Sequence, residues 1–165
     1  MKIGVIGTDS SHAIAFATRL QKKGHNIIAF KGGSPLALSQ SRIETITMQL
    51  KEMGVTFVDT LAQLHKQCDA FLITSVDAAQ HSRQFEELVL SKKPVFIDKP
   101  LATTSEQASK IIKLAQRRGI PLMSCSALRF ADCVQQAKSK SIEAVDVVAP
   151  LLMLEPYDYF YYGIH

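Results

Sequence analysis

Short apolar runs alternate with longer amphipathic segments along most of this chain. The runs are nearly continuous and rich in Val, Ile and Phe, which is typical of strands covered on both faces of a sheet. We predict strands over residues 2–6, 26–30, 55–58, 70–74, 94–97 and 121–125. The segments between them have apolar residues three and four positions apart, which predicts helices.

Helix boundaries are also marked in the sequence. Thr60 and Thr104 each precede a Gln by three residues, which is the spacing of a capping box at a helix start. Gly24, Gly54 and Gly119 follow predicted helices, a position at which glycine commonly ends them. Strands that alternate with helices pair in parallel through right-handed crossovers. The predicted fold class is therefore α/β, with a Rossmann-like doubly wound parallel sheet.

The alternation stops near residue 129. We predict that residues 1–128 form the Rossmann-like domain and that a short helix follows over 131–138. A long strand-like run over 142–154 then leads into a tail that holds all four tyrosines. Because exposed apolar surface of this kind normally packs on another domain or chain, we expect residues 129–165 to begin a second, α+β domain for substrate binding or oligomerisation, incomplete in this chain. A homo-oligomer, or association with a second chain through this segment, is the corresponding expectation.

Composition narrows the class of protein. The chain has 165 residues, 47% of them hydrophobic, which suits one domain with a real core. The net charge of +4 includes no basic block, so nucleic acid is not expected as a partner. Three cysteines without C-x-x-C spacing favour a reducing cytoplasm over a disulfide framework, and no apolar run approaches the ~18 residues of a membrane span. The histidines show no metal-ligand spacing, so we expect no metal site.

An acid, a base and a proline follow the fifth apolar run. Pro100 is unable to continue a strand ladder, which places Asp98 and Lys99 at the carboxyl end of the predicted strand. In open parallel sheets ligands bind at this edge. Lys99 is therefore a candidate for chemistry; the alternative is a solvated lysine beside a loop carboxylate.

The loop after the first strand departs from the dinucleotide-binding pattern G-x-G-x-x-G/A, in which glycines allow a pyrophosphate to approach the backbone. The loop residues are Gly7, Thr8, Asp9, Ser10, Ser11 and His12. At about 5 Å from a phosphate and an effective dielectric near 20, the Asp9 carboxylate would be repelled by ~3 kcal/mol. Alternatively, Asp9 or Ser10 turns inward as a helix N-cap, which leaves Ser10, Ser11 and free N–H groups for phosphate.

The end of the second strand bears on the choice of cofactor. NAD-binding sites usually have Asp or Glu here for the ribose hydroxyls. This chain has Lys31 and, after two glycines, Ser34. These side chains suit a 2′-phosphate, so NADP is slightly favoured over NAD. The alternative is an ordinary solvated lysine on a glycine-rich turn.

Four segments together resemble the Gfo/Idh/MocA oxidoreductases, the family of glucose-fructose oxidoreductase and inositol dehydrogenase. They are residues 3–7, 75–81, 98–102 and 124–130. The family's E-K-P motif is Asp98-Lys99-Pro100 here, and its T-P-x-x-x-H motif keeps His81 but lacks the proline. Its D-x-G-x-H motif resembles residues 161–165, which end in His165 but have a tyrosine in place of the aspartate.

The resemblance implies hydride transfer between a nicotinamide and a sugar or cyclitol-like alcohol. Lys99 would hold the substrate hydroxyl and lower its pKa, and His165 would take the proton as general base. The cofactor, NAD or NADP, would be bound by Gly7, Thr8, Asp9, Ser10, Ser11, His12, Lys31, Ser75, His81 and Asp98.

Two alternatives to the enzyme stay open. One is a non-catalytic Rossmann module that binds a ligand or partner after losing its glycine loop. The other is a subunit whose apolar tail builds a shared sheet with its copy. If the chain is an enzyme, we expect it to bind cofactor without turnover when isolated, because His165 is the final residue and chain ends fray.

Overall fold

Six parallel strands form one sheet in the computed structural model, which describes residues 1–137, 141, 143 and 144. The strands are β1 (Lys2–Ile6), β2 (Asn26–Phe30), β3 (Thr56–Val58), β4 (Ala70–Ile73), β5 (Val95–Asp98) and β6 (Leu122–Cys125). Their order across the sheet is β3-β2-β1-β4-β5-β6. Every neighbouring pair is parallel. The predicted Rossmann-like doubly wound sheet is confirmed.

Helices connect successive strands and cover the sheet in two layers. They are α1 (Ser11–Lys22), α2 (Ala37–Glu52), α3 (Leu61–Gln67), α4 (His81–Leu88), α5 (Ser105–Arg118) and, after β6, α6 (Asp132–Ala137). Single 3-10 turns lie at Ala78–Gln80, Val89–Ser91 and Ala127–Phe130. Helix α1 packs against α2, whereas in the other layer α4 contacts both α3 and α5. No helix among the described residues is long and apolar enough to cross a membrane.

The core lies on both faces of the sheet, which explains why the strands are apolar throughout. In β1, Ile3 and Val5 pack with Ala13 and Ala17 of α1 and with the apolar face of α2. Ile6, on the opposite face, belongs to the cluster built from α3, α4 and α5. Successive side chains of a strand point to opposite faces, so burial of both faces requires an unbroken apolar run.

Strands β1 and β2 have the predicted bounds, and the ends of the other four strands differ from the prediction by at most one residue. The capping box at Thr60 is complete, because Thr60 Oγ1 accepts from the Gln63 N–H while Gln63 Oε1 accepts from the Thr60 N–H. At Thr104 only half of the box forms: Thr104 Oγ1 accepts from the Gln107 N–H, but the Gln107 side chain bonds to the neighbouring Thr103.

Strand β6 forms one of the two edges of the sheet and is only partly buried. Large apolar side chains stay exposed there at Met123, Leu128, Phe130 and Val134. Between α1, β5, β6 and the turn after β6 lies an apolar groove of about 390 Å³, which we call the β6 groove; its lining includes Phe16, Phe96, Met123 and Phe130. Most of the predicted run 142–154, the tyrosine tail and His165 lie outside the described residues, so the boundary at residue 128 stays a prediction.

Candidate functional site

The connections of the sheet change direction between β1 and β4. Strand β1 leads to β2 on one side, and β4 leads to β5 on the other. The carboxyl edge at this point, where the loops after β1 and β4 begin, is the usual ligand site of this architecture, and we refer to it as the crevice. The predicted site residues of the described chain, apart from Lys31, belong to three segments at this edge, after β1, β4 and β5.

Gly7 allows the loops on both sides of the crevice to approach closely. Its φ of +87° is a conformation that L side chains rarely adopt. A Cβ at Gly7 would lie 2.2 Å from Ser75 Oγ and 2.6 Å from the backbone N of the same residue. Gly32 packs on the other side, where a Cβ would lie 3.3 Å from the Gly7 Cα. The first glycine of the loop is therefore required for contact between the segments after β1, β2 and β4.

Asp9 points into the protein rather than toward the crevice. Its carboxylate is completely buried and accepts hydrogen bonds from the Ser39 hydroxyl, at 2.6 Å, and from the Val76 N–H, at 3.0 Å. The helix cap is supplied by the next residue, because Ser10 Oγ accepts from the His12 N–H at 3.2 Å. Of the two arrangements considered for this loop, the inward one is observed, so the carboxylate does not confront a phosphate.

Thr8 is also an interior residue, although we predicted it as part of the cofactor site. Its hydroxyl lies 2.6 Å from that of Thr47 in α2, and its N–H donates to the Lys31 carbonyl at 2.9 Å. Ser10, Ser11 and His12 are the loop residues that reach solvent. Within residues 1–137, the N–H groups of Ser10 and Ser11 donate no recorded hydrogen bond. They are available at the start of α1, where the helix dipole favours an anion.

Lys31 lies at the end of β2, as predicted, but its ammonium is paired. The Nζ atom lies 2.6 Å from Glu44 Oε1 of α2; the Lys31 side chain is 43% exposed and that of Glu44 is 76% exposed. Exposed pairs of this kind contribute at most about 1 kcal/mol, so a phosphate can compete for the lysine. Beside Lys31 a hollow of about 370 Å³ is lined by residues including Gly32, Thr60 and Arg83.

Ser75 and His81 tie the loop after β4 to its surroundings. The Ser75 hydroxyl is buried against the Gln84 amide, with contacts of 2.8 and 3.0 Å. The His81 ring is completely buried, with Nδ1 3.0 Å from the Pro100 carbonyl and Nε2 2.9 Å from the Ser75 carbonyl. Both side chains are thus directed at protein groups, and His81 joins the loop after β4 to the segment that carries Lys99.

Lys99 follows β5 directly and is the half-buried cation of the site. Its N–H donates to Asp98 Oδ1 at 2.9 Å, which fixes the backbone at the end of the strand. Burial lowers the pKa of the Lys99 ammonium, and the nearby Asp98 carboxylate opposes this shift. Among the residues that the structure describes, Nζ has no hydrogen-bond partner. A partly desolvated ammonium without a partner is a candidate for binding an anion or a hydroxyl oxygen.

His12 and Asp98 form a pair that sequence reasoning did not foresee. Both residues were assigned to the site, but 86 positions separate them and no local pattern joins them. In the fold, Nδ1 of His12 contacts Oδ2 of Asp98 across the carboxyl ends of β4 and β5. The predicted base His165 lies outside the described residues. No group of three potential metal ligands occurs within the described part of the chain.

Two curated relatives are named as inositol dehydrogenases. The chain is 34% identical over 85 residues to inositol 2-dehydrogenase of Klebsiella pneumoniae, which covers 52% of this chain and 25% of that protein. It is 29% identical over 157 residues to inositol 2-dehydrogenase/D-chiro-inositol 3-dehydrogenase of Halalkalibacterium halodurans, which covers 93% of this chain and 43% of that protein. The chain thus spans less than half the length of these curated relatives.

Solved structures of dehydrogenases and reductases share the fold. The WlbA dehydrogenase of Bordetella pertussis, in complex with NADH and UDP-GlcNAcA, has a TM-score of 0.67 at 17% identity, over 84% of this chain and 40% of that one. Biliverdin reductase of Synechocystis, in complex with biliverdin and NADP+, has a TM-score of 0.65 at 20% identity, over 84% of this chain and 42% of that one. Residues 1–126 match the model of an oxidoreductase family with an NAD-binding Rossmann fold, and the chain therefore belongs to the Gfo/Idh/MocA oxidoreductase family.

Proposed function

We propose that this chain is the cofactor-binding part of an NAD(P)-dependent oxidoreductase that acts on a sugar or cyclitol-like alcohol. The observation that carries the proposal is the half-buried Lys99 ammonium, which lies at the carboxyl edge of the sheet without a hydrogen-bond partner among the described residues. The family supports the nicotinamide cofactor, and the names of the two inositol dehydrogenase relatives support an alcohol as substrate.

The residues at the crevice fit a dinucleotide despite the altered loop. Inward rotation of Asp9 removes the charge that would repel a pyrophosphate, and the N–H groups of Ser10 and Ser11 remain at the start of α1. The hollow beside Gly32 has room for the adenosine half, at the end of β2 where this architecture binds it. When bound, the cofactor supplies the hydride chemistry.

Lys99 has the position and the charge to act on the substrate oxygen. Its ammonium donates a hydrogen bond to that oxygen and stabilises the negative charge that develops as the proton leaves. Proton transfer and charge stabilisation of this type typically contribute factors of about 10² to 10⁴ in rate. We propose His165 as the base that receives the proton, on the strength of its place in the family motif.

For the cofactor we propose a modest preference for NADP over NAD. Lys31 lies at the end of β2, where a 2′-phosphate would be recognised, and its only recorded side-chain contact within the described residues is the exposed carboxylate of Glu44. A phosphate carries more charge than this carboxylate and accepts several hydrogen bonds. Exchange of Glu44 for a 2′-phosphate therefore costs Lys31 little.

Titration of the purified chain with NADH and NADPH, followed by nicotinamide fluorescence, tests cofactor binding. The role of Lys99 is tested by Lys99→Met in a longer form that carries the rest of a substrate domain, assayed with a panel of sugars and cyclitols. We expect kcat/KM to fall by about 10² or more while NADH affinity changes little. Lys113→Met, an exposed lysine of α5, is the matched control. Full activity of Lys99→Met would remove the catalytic assignment.

A non-catalytic module is the second candidate function. The observation in its favour is that the side chains of Thr8 and Asp9 are fully bonded inside the protein, so the loop keeps its form without a ligand. Failure of both NADH and NADPH to bind the chain would support this candidate over the oxidoreductase.

We also propose that residues 129–165 mediate association with another domain or chain. The β6 groove and the exposed Met123, Leu128 and Phe130 give apolar surface next to the start of this segment. Light scattering should show self-association that increases with concentration. A monomer at all concentrations would contradict it.

A further inference from the structure

His12 occupies the position at which a dinucleotide loop has its third small residue. It is the second residue of α1, and its side chain extends to Asp98 at the end of β5. The contact joins the start of the helix after β1 to the end of β5, and β4 lies between these two strands in the sheet. Lys99 follows Asp98 directly in the chain.

The contacts of Asp98 determine which nitrogen of His12 carries a hydrogen. Asp98 is buried, with its side chain 9% exposed, and its Oδ1 already accepts from the Lys99 N–H. Its Oδ2 faces Nδ1 of His12, and a carboxylate oxygen only accepts. Nδ1 is therefore the protonated nitrogen of the neutral ring, which leaves the lone pair on Nε2.

The ring is held in place, whereas its Nε2 atom makes no contact with a polar group of the described residues. Phe16 contacts the imidazole edge to face, with centroids 6.2 Å apart, and Phe16 in turn packs against Phe96 at 5.6 Å. The His12 side chain is 41% exposed, and Nε2 has no hydrogen-bond partner within the described part of the chain. In many active sites a carboxylate binds one nitrogen of a histidine and so directs the other nitrogen toward a ligand. Asp98 and His12 have this arrangement.

We propose that Nε2 of His12 accepts a hydrogen bond from a ligand hydroxyl bound beside Lys99. The inference rests on the proposed function, since the cofactor or its substrate supplies the hydroxyl. A lone pair pairs with a hydrogen-bond donor and not with a phosphate oxygen, and hydroxyls are the donors that the ribose and an alcohol substrate both carry. A ribose hydroxyl of the dinucleotide and the alcohol of the substrate have this chemistry in common.

Nitrogen-15 NMR of the chain labelled at histidine tests the orientation first, without any ligand. The neutral ring of His12 should show hydrogen on Nδ1 and none on Nε2, and Asp98→Asn should shift this tautomer balance. The other four histidines serve as internal references. A neutral His12 with hydrogen on Nε2 would overturn the proposal whether or not a cofactor binds.

Ligand titrations then identify the source of the hydroxyl. If it belongs to the ribose, NADH should move the Nε2 resonance, and His12→Phe should weaken NADH by about 3- to 10-fold, the value of one hydrogen bond. If it belongs to the substrate, NADH affinity stays constant, and myo-inositol added to the NADH complex should bind about 3- to 10-fold more weakly to the variant. His65→Phe, which lies in α3, is the matched control.

The two proposals fail in different ways. If the wild-type chain binds neither NADH nor NADPH, the proposed function is wrong. The role of His12 is then tested by titrating the chain with myo-inositol or glycerol alone and following the Nε2 resonance. Movement of the Nε2 resonance with these polyols supports the acceptor role, and no movement overturns it. If the cofactor binds but His12→Phe matches the wild type for both NADH and myo-inositol, only the inference about His12 is overturned.

Discussion

The two halves of the carboxyl edge of the sheet use their polar residues in opposite ways. On the side of β1 and β2, the side chains of Thr8 and Asp9 are buried and bonded to α2 or to the loop after β4. On the side of β4 and β5, Nε2 of His12 and Nζ of Lys99 lack partners among the described residues. In the first half these buried side chains therefore join segments of the protein, whereas in the second half side-chain groups stay open to a ligand; the free groups of the first half are the backbone N–H groups of Ser10 and Ser11.

The comparison explains how the loop can lose two glycines without losing the fold. In a glycine loop the backbone approaches the ligand directly. Here the Asp9 side chain fills the loop and accepts hydrogen bonds from Ser39 and Val76. These hydrogen bonds join the loop after β1 to the loop after β4 and to the start of α2. Among the described residues, the unpartnered side-chain groups of His12 and Lys99 lie toward β5, which is why we propose that half for the chemistry.

Gly7→Ala should cause the largest loss of stability, because Gly7 lies where the loops after β1 and β4 pack against each other. A positive φ costs an alanine about 1 to 2 kcal/mol, and overlap with the Ser75 backbone adds about 1 to 3 kcal/mol. We expect the free energy of unfolding in urea, followed by circular dichroism, to fall by about 2 to 5 kcal/mol. Gly24→Ala is the control, since it has φ +79° but no atom within 4 Å of its Cβ. Equal losses for both variants would show that the close contact at Gly7 is unimportant.

Asp9→Ala should have the next largest effect. It removes the buried acceptor of the Ser39 hydroxyl and of the Val76 N–H, at a cost of about 2 to 3 kcal/mol in the free energy of unfolding. Asp59→Ala, at an exposed carboxylate, should change it by less than about 0.5 kcal/mol. A stable Asp9→Ala variant that binds NADH more tightly would reverse our comparison, because the loop would then be a poor phosphate site rather than a structural tie.

Lys31→Asp should produce a smaller effect, on cofactor choice rather than on folding. If Lys31 meets a 2′-phosphate, the variant should lose about 1 to 2 kcal/mol of NADPH binding relative to NADH, which is roughly tenfold in Kd. Glu44→Gln frees the lysine and should act in the opposite direction. Fluorescence titrations with both cofactors measure the difference. Equal losses for NADH and NADPH would leave no role for Lys31 in their discrimination.

The smallest effect that we predict concerns Lys99 and pH. Because burial lowers the pKa of this lysine in the folded state, the unfolded chain binds more protons between the lowered value and 10.5. The contribution of Lys99 to stability therefore rises with pH through that window. Lys99→Met should stabilise the protein slightly at pH 7, and this gain should shrink as the pH approaches the ordinary lysine value. A gain that is independent of pH would show that packing, not charge, is responsible.

Sequence periodicity was sufficient to predict the sheet, because burial of both faces leaves a nearly continuous apolar run in each central strand. Inward rotation of Asp9 or Ser10 was one of two alternatives for the loop, and the sequence alone did not decide between them. The complete capping box at Thr60 and the half box at Thr104 show the limit of such patterns: Gln107 had a competing partner one residue away.

Long-range pairings could not be predicted in this way. The contact of His12 with Asp98 depends on the sheet order, which places β4 between their elements, and the contact of Lys31 with Glu44 depends on how α2 packs. Likewise, nothing in the sequence around His81 indicated that its two ring nitrogens would face the carbonyl groups of Pro100 and Ser75. A periodic pattern records which face is buried but not which side chain from another element meets it.

The buried Asp9 cluster also restricts the mutational routes open to this loop. A single change of Asp9 to Gly deprives Ser39 and Val76 of their shared acceptor, whereas prior loss of the Ser39 hydroxyl makes that change less damaging. The substitutions are therefore epistatic, and the order in which they occur matters. A direct change of Asp9 to glycine therefore produces a destabilised variant. This makes a glycine-rich loop harder to reach by single substitutions for as long as Ser39 is present.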